Sequence, residues 1–288
     1  MKRIWTLPRD RVIPLPSRII VAVAVGGLTV LTLPPFSILL LVPIAYATLL
    51  VLLRHLSVAK AALVGWAFGF GQFGFGLSWI AESFYVDAER FAALAIPAVA
   101  VLSAGLAIFP AVAAALFARV ARRRAIGGVT ACLLFATCWT AAEWLRGHVL
   151  TGFPWNLAGY ALVDYAALRQ PAAWVGSHGL SFLVLLVGTL PAPALLAEER
   201  LRWSIPLLGV GIVVATWAAG TVRVQLEPPG PPGLDLRIGP IGRFVRRIPL
   251  RRNNGRTTEM WHHPAHFLVA LRCNGRAILR AAAPECQS

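Results

Sequence analysis

The chain has 288 residues, of which 58% are hydrophobic and only 14% charged, and its mean hydropathy is +0.70. A water-soluble domain cannot hide that much apolar surface, which excludes the soluble enzyme and binding-module classes and points to a polytopic membrane protein. The formal net charge of +15 suggests nucleic acid as a partner, but residues 1–236 carry only a net +7, and ten Arg against Glu259 and Glu285 in residues 237–288 supply the rest.

Residues 1–18 are a basic segment with Lys2, Arg3, Arg9, Arg11 and Arg18. No small-x-small cleavage pattern precedes Pro34-Pro35 and further apolar runs follow at once, so the first run is expected to be a retained helix rather than a signal peptide. Membrane-length apolar runs recur through residues 19–222 and predict about seven transmembrane helices. They fall near 19–33, 36–53, 61–82, 91–118, 126–145, 169–197 and 203–222. The predicted fold class is therefore an all-α polytopic membrane bundle. Pro34-Pro35 predicts a tight hairpin between the first two helices.

Within the third run, Gly69, Gly71, Gly74 and Gly76 alternate with Phe and lead into Ser78-Trp79-Ile80. Small residues at such spacings let helices approach closely, with the Phe rings filling neighbouring grooves. Trp79 and Glu82 are expected at the membrane boundary, where an aromatic belt places them. Cys132 and Cys138, six apart in one helix, read as small core residues.

The most informative segment follows the fifth run. Glu143 and Arg146 are three apart and so share a face near that helix's end. Thr151-Gly152-Phe153-Pro154-Trp155-Asn156 then leads to Gly159-Tyr160. Charged groups beside hydrocarbon are expensive and tend to mark function. The bland reading makes Glu143 and Arg146 a mutually compensating pair and Phe153 and Trp155 interfacial anchors. The sharper reading brings Arg146 to a lipid phosphate, whose oxygens suit a guanidinium, and lets the two rings grip an acyl chain. Glu143, Arg146, Phe153, Trp155, Asn156 and Tyr160 are the candidate lipid or substrate residues.

Further along, Ser177-His178 invites a hydrolase reading. Adjacent helical residues do not face each other and no carboxylate is near to orient the imidazole, so a helix-start motif is expected. His262, His263 and His266 have ligand-like spacing, and Cys273 with Cys286 could pair or join them. Without supporting acids they predict no metal site, and nothing in the sequence calls for a cofactor.

The charges set an expected orientation. With the N-terminus inside, the cytoplasmic segments hold thirteen basic residues and the outer loops only Arg90, Arg146 and Arg169. That asymmetry is the positive-inside pattern. Seven spans would then deliver everything after Val222 to the outer side. Residues 223–238 contain the linker Glu227-Pro228-Pro229-Gly230-Pro231-Pro232-Gly233, followed by Leu234 to Ile238, which reads as the start of a β-strand. Residues 239–288 are Arg-rich, without sustained period, and expected to be disordered.

Taken together, these residues resemble the apolipoprotein N-acyltransferases. The matching pieces are Gly69 to Ile80, Glu143 to Gly147, Thr151 to Tyr160, and Gly176 to Leu183 after Gln170, in the family's order. The resemblance covers about residues 19–238, the membrane half of such an enzyme. It implies a bacterial inner-membrane location with the tail periplasmic. It implies a phospholipid acyl donor and a diacylated lipoprotein as partners, besides membrane lipids, with no nucleic acid. It also implies a Cys nucleophile with a Glu base and a Lys oxyanion donor on a nitrilase-like outer domain, acting through a thioester. Phe153 and Trp155 would then line the way by which lipid reaches that site.

The sequence departs from this pattern after Ile238. Only 66 residues follow Val222, and no Lys occurs after Lys60. A truncated or frameshifted member lacking the Glu-Lys-Cys triad, and inactive alone, is the resulting expectation. The alternative is a non-catalytic membrane module that binds phospholipid or lipoprotein. A transporter ranks third, because the candidate charges sit at a helix end rather than at mid-bilayer.

Overall fold

The computed structural model describes residues 13–123, 126, 128–194 and 204–226, together with the backbone of four short strands at 236–238, 244–246, 268–273 and 276–281. Two units separate, Met1–Gln225 and Leu226–Ser288.

The first unit is a helical bundle. Helix α1 is Leu15–Leu28, with a proline in its first turn, and a 3-10 turn at Thr29–Thr32 prolongs it. A turn containing the cis Pro34–Pro35 bond leads to α2, Leu41–Leu52. Helix α3, Val58–Gly76, is capped by the Ser57 side chain, which accepts from the Lys60 N–H at 3.3 Å. A 3-10 helix at Ser78–Tyr85, the short α4 (Ala88–Phe91) and a 3-10 turn at Ala92–Leu94 follow, none with a buried residue. Then come α5 (Ala95–Leu106), α6 (Ile108–Arg123) and α7 (Gly128–His148). A loop with a 3-10 helix at Ala158–Leu162 connects to α8, Ala172–Thr189. The bundle closes with α9 (Pro191–Ala194) and α10 (Ser204–Leu226).

Among the described residues, five helical stretches are long and apolar enough to cross a membrane: Leu15–Thr32, Ala88–Arg123, Gly128–His148, Ala172–Ala194 and Ser204–Leu226. The expected seven are thus not all of that kind. The run at 36–53 contracts to the twelve residues of α2, because Pro35 and the turn after it occupy its first part. Helix α3, which holds Lys60 and Gln72, falls outside that set although it is 19 residues long. The boundary drawn at residue 18 falls inside α1. Arg18 is buried, and its guanidinium donates to the carbonyls of Leu52 and, at 3.0 Å, Arg54. It caps the C-terminal end of α2, where a cation also meets the negative end of the helix dipole.

Close helix approach follows from the glycines. A methyl group at Gly71 would collide with the Val23 carbonyl oxygen, and one at Gly26 with that of Phe68, so α1 and α3 cross backbone to backbone. Gly65 and Gly69 receive Pro110, Ala107 and Ala114 of the α5–α6 region in the same way. Gly74 faces open space, and Phe75 is exposed, so the groove-filling expectation holds for Phe73 but not for every ring of the repeat. At the centre, Trp139 of α7 meets Phe68 edge-on at 5.3 Å and Tyr46 at 6.0 Å, while Phe135 stacks on Trp139 and meets Phe117 of α6. Cys132 is buried in this core, as expected, and Cys138 lies at its edge.

In the second unit, β1 (Leu236–Ile238) pairs antiparallel with β2 (Phe244–Arg246), and β3 (Leu268–Cys273) with β4 (Arg276–Ala281). The expected strand start near 234–238 coincides with β1. The expectation of a disordered tail at 239–288 falls mostly on residues outside the described ones, and the three strands within it are short backbone pairings.

Candidate functional site

The site is the loop that leaves α7 and returns to α8. Helix α7 ends where Val149 N–H still bonds to the Leu145 carbonyl and Gly152 N–H to that of Val149. Leu150 adopts φ 58° at the tip and is 98% exposed. Gly152 has φ 75°, and any Cβ there would strike the Gly147 carbonyl oxygen, so this turn requires glycine. The Phe153 N–H then returns to the Arg146 carbonyl at 2.9 Å.

From there on, buried side chains of the bundle hold the loop backbone. One nitrogen of the Arg146 guanidinium, Nη1, donates to the carbonyls of both Phe153 and Trp155, each at 2.7 Å. Arg146 is 3% exposed and its guanidinium lies over the Phe73 ring, 4.9 Å from the centroid. The Gln72 amide donates to the Asn156 carbonyl at 3.3 Å. Glu143, 5% exposed, accepts the Ala158 N–H on Oε1 at 3.0 Å. The Gly159 N–H reaches Ser181 Oγ at 2.9 Å, and the Tyr160 hydroxyl donates to the Pro154 carbonyl at 3.2 Å. Buried donors and acceptors demand partners, and here the loop's backbone groups named above find theirs, while the Asn156 side-chain nitrogen has no hydrogen-bond partner.

Glu143 and Arg146 share a face of α7 and act on each other through their opposite charges, as the compensating-pair reading expects, but their hydrogen bonds go to different parts of the loop. Neither guanidinium nor carboxylate is presented to the surface, so burial works against the phosphate-binding reading of Arg146. Glu143 Oε2 has no hydrogen-bond partner and lines a small crevice with Gln72, Phe73, Phe109, Pro110, Trp139, Ala142 and Arg146. Asn156, at φ 53°, turns its amide against Gly76, where a side chain would overlap it.

The rings face outward. Trp155 stacks on Trp79 at 5.3 Å and 22°, and Phe153 lies 6.0 Å from Trp155 at 26°. Trp79 and Trp155 are each about half exposed. All six candidate residues therefore converge, four of them through backbone or side-chain hydrogen bonds within the loop and two as rings above it. Three contributors were not read as part of the site: Gln72, whose only sequence signal is a polar residue in a Gly-Phe run, Ser181, and Trp79, read as belt alone.

Around this loop, the regular part of α8 begins after a kink at Gly176 (φ 67°, ψ −175°), which makes Ser177-His178 a helix start. Gly159 packs against that start, its methyl position 2.7 Å from the Ser181 nitrogen. His148 stacks on Trp144 at 4.3 Å and lies 6.5 Å from His178. On the far side, Tyr165 donates to the Ser37 carbonyl at 2.6 Å and Ser37 to Asp164, tying the α1–α2 turn to the end of the loop. Among the described residues no group of three or more His, Cys, Asp or Glu is placed to hold a metal. His262, His263, His266 and Cys286 lie outside the described residues.

Comparison with known proteins bears directly on this loop and its scaffold. Residues 25–190 match the family model described as the apolipoprotein N-acyltransferase N-terminal domain. Relatives named apolipoprotein N-acyltransferase include that of Rhodopseudomonas palustris, 36% identical over 221 residues, and that of Bradyrhizobium diazoefficiens, 39% identical over 219. Each alignment takes in 73% of this chain and 40% of the relative. The Caulobacter vibrioides relative is 36% identical over 237 residues, 79% of this chain and 42% of its own. The chain thus spans about 40% of the length of the relatives it matches. With its glycine-packed helices, its Glu143–Arg146 bracket and its Phe-Pro-Trp turn all inside the matched region, the chain belongs to the apolipoprotein N-acyltransferase family.

Proposed function

We propose that this chain provides the membrane scaffold on which an apolipoprotein N-acyltransferase receives its lipid substrates, with the 143–160 loop as the contact surface. The substrates would be a phospholipid acyl donor and a diacylated lipoprotein bearing a free α-amine. The scaffold would lie in a bacterial inner membrane with its N-terminus cytoplasmic and the loop and C-terminal segment periplasmic. The positive-inside charge pattern supports that orientation.

The observation that carries the reading is the presentation of the half-exposed Trp155 and the partly exposed Phe153 on a loop whose backbone is tied down by buried groups. Aromatic side chains with one apolar body and one polar edge suit the lipid–water boundary. We assign the acyl-transfer groups themselves to no residue of this chain. Among the described residues the lysine is Lys60, at the opposite end of α3 from the loop, so the bundle itself brings no lysine to the loop. On this reading the chain alone binds lipid and does not transfer acyl groups.

Complementation of a strain depleted of its apolipoprotein N-acyltransferase tests the proposal, together with incubation of the purified chain with phospholipid and a diacylated lipopeptide. The expected result is no rescue and no N-acylation, with photoactivatable phospholipid labelling the loop. N-acylation by the pure chain would overturn the first part, and absence of labelling the second. If labelling occurs without any gain in acylation when a catalytic partner is supplied, the chain is a non-catalytic lipid- or lipoprotein-binding module.

A further inference from the structure

We infer that Trp79 completes, with Trp155 and Phe153, a three-ring platform for a lipid acyl chain, and that Arg146 is the positioning residue that builds it. The inference deepens the proposed lipid contact and rests on it.

The rings form a row. Phe153 to Trp155 is 6.0 Å at 26°, and Trp155 to Trp79 is 5.3 Å at 22°, so three near-parallel rings from two distant parts of the sequence line up. Trp79 sits at the start of a 3-10 helix that contains no buried residue and is half exposed itself, so nothing in the bundle core requires an indole there. The stack leaves apolar ring surface facing outward, which suits hydrocarbon rather than a charged headgroup.

The row depends on where the loop backbone lies, and Arg146 determines that. The Phe153 and Trp155 carbonyls flank Pro154 and converge on the same Arg146 nitrogen at 2.7 Å each. Proline fixes the backbone torsion between them. With both carbonyls anchored, the directions of the two rings are set. A guanidinium whose Nη1 holds two loop carbonyls, 3% exposed and with one face over Phe73, is turned into the bundle rather than toward a lipid phosphate. Arg146 therefore acts on the lipid through Trp155, without touching it.

The test uses the full chain in vesicles of zwitterionic phospholipid, with two photoactivatable phospholipids, one carrying the reactive group in the acyl chain and one in the headgroup. Crosslinked residues are mapped by mass spectrometry, and near-ultraviolet circular dichroism reports the coupled Trp79–Trp155 pair. The expected result is acyl-probe labelling of the 79 and 153–155 peptides, at least tenfold above headgroup-probe labelling. Trp79→Leu, on an exposed helix and free of folding demands, should remove the coupled indole signal and lower acyl labelling at 153–155 by at least fivefold. Arg146→Gln should do both as well, and Trp79→Phe should restore the labelling but not the indole signal. Labelling at 153–155 unchanged in Trp79→Leu would overturn the platform. Headgroup labelling that falls in Arg146→Gln while acyl labelling persists would make Arg146 a phosphate ligand and overturn the positioning role. Absence of any labelling in the unmodified chain would instead remove the proposed function on which both rest.

Discussion

At the scale of single residues, the site is governed by buried polar atoms that face a backbone rather than a ligand. Glu143 illustrates this: Oε1 holds the Ala158 N–H and the side chain lines a small crevice. Glu143→Ala strands that N–H without an acceptor, which costs about 1–3 kcal/mol. Glu143→Gln keeps an oxygen in reach, so thermal unfolding in detergent should show a clearly smaller loss than for Glu143→Ala. Equal losses would mean that the bond to Ala158 has no weight. The residue types here were legible in sequence, but their roles were not. Helical spacing correctly put Glu143 and Arg146 on one face, and from that an ion pair followed as the simplest expectation. What spacing cannot contain is the return of a loop seven to fifteen residues later, whose carbonyls and N–H groups compete for the same side chains. Gln72 was harder still, because its partner is 84 residues away.

At the scale of elements, glycine decides how helices meet. Gly71→Ala places a methyl group against the Val23 carbonyl of α1, and backbone cannot yield as a flexible side chain can. Overpacking of this kind costs about 1–3 kcal/mol. Gly74→Ala, three residues further along the same motif but facing open space, should be neutral or slightly stabilising, since alanine favours the helix by up to about 1 kcal/mol. Paired melting curves of the two variants check this; equal effects would show that the α1–α3 contact is looser than described. Gly176 is a different case, because no atom lies near its missing Cβ. Its φ of 67° with ψ near 180° belongs to a region essentially reserved for glycine, so Gly176→Ala should lose about 1–3 kcal/mol through the backbone alone. The same stretch of sequence announced the helix start but not the kink within it. Periodicity found the long apolar helices, and it overran where prolines cut a run short, as before α2.

At the scale of the whole molecule, apolar content and charge asymmetry made the membrane bundle legible, because both are summed over many residues and survive local errors. Orientation is the part that these sums predict and an experiment can check. In a background with the four native cysteines replaced, Leu150→Cys at the exposed tip should react with a membrane-impermeant maleimide on intact spheroplasts. Lys60→Cys, at the N-terminal end of α3, should react only after permeabilisation. The reverse pattern would invert the proposed topology. Less legible was the way separate turns are joined, since Ser37 with Asp164 and Tyr165, and Gly220 with Ala167, are contacts between segments far apart in the chain. Gly220 lies directly on the Ala167 backbone and Arg223 over the Trp174 ring, so the last turns of α10 are held against the stretch that leads into α8. A methyl group at Gly220 would meet a carbonyl that cannot step aside, so bulk added there would wedge the final helix away from its neighbour along its whole last turn.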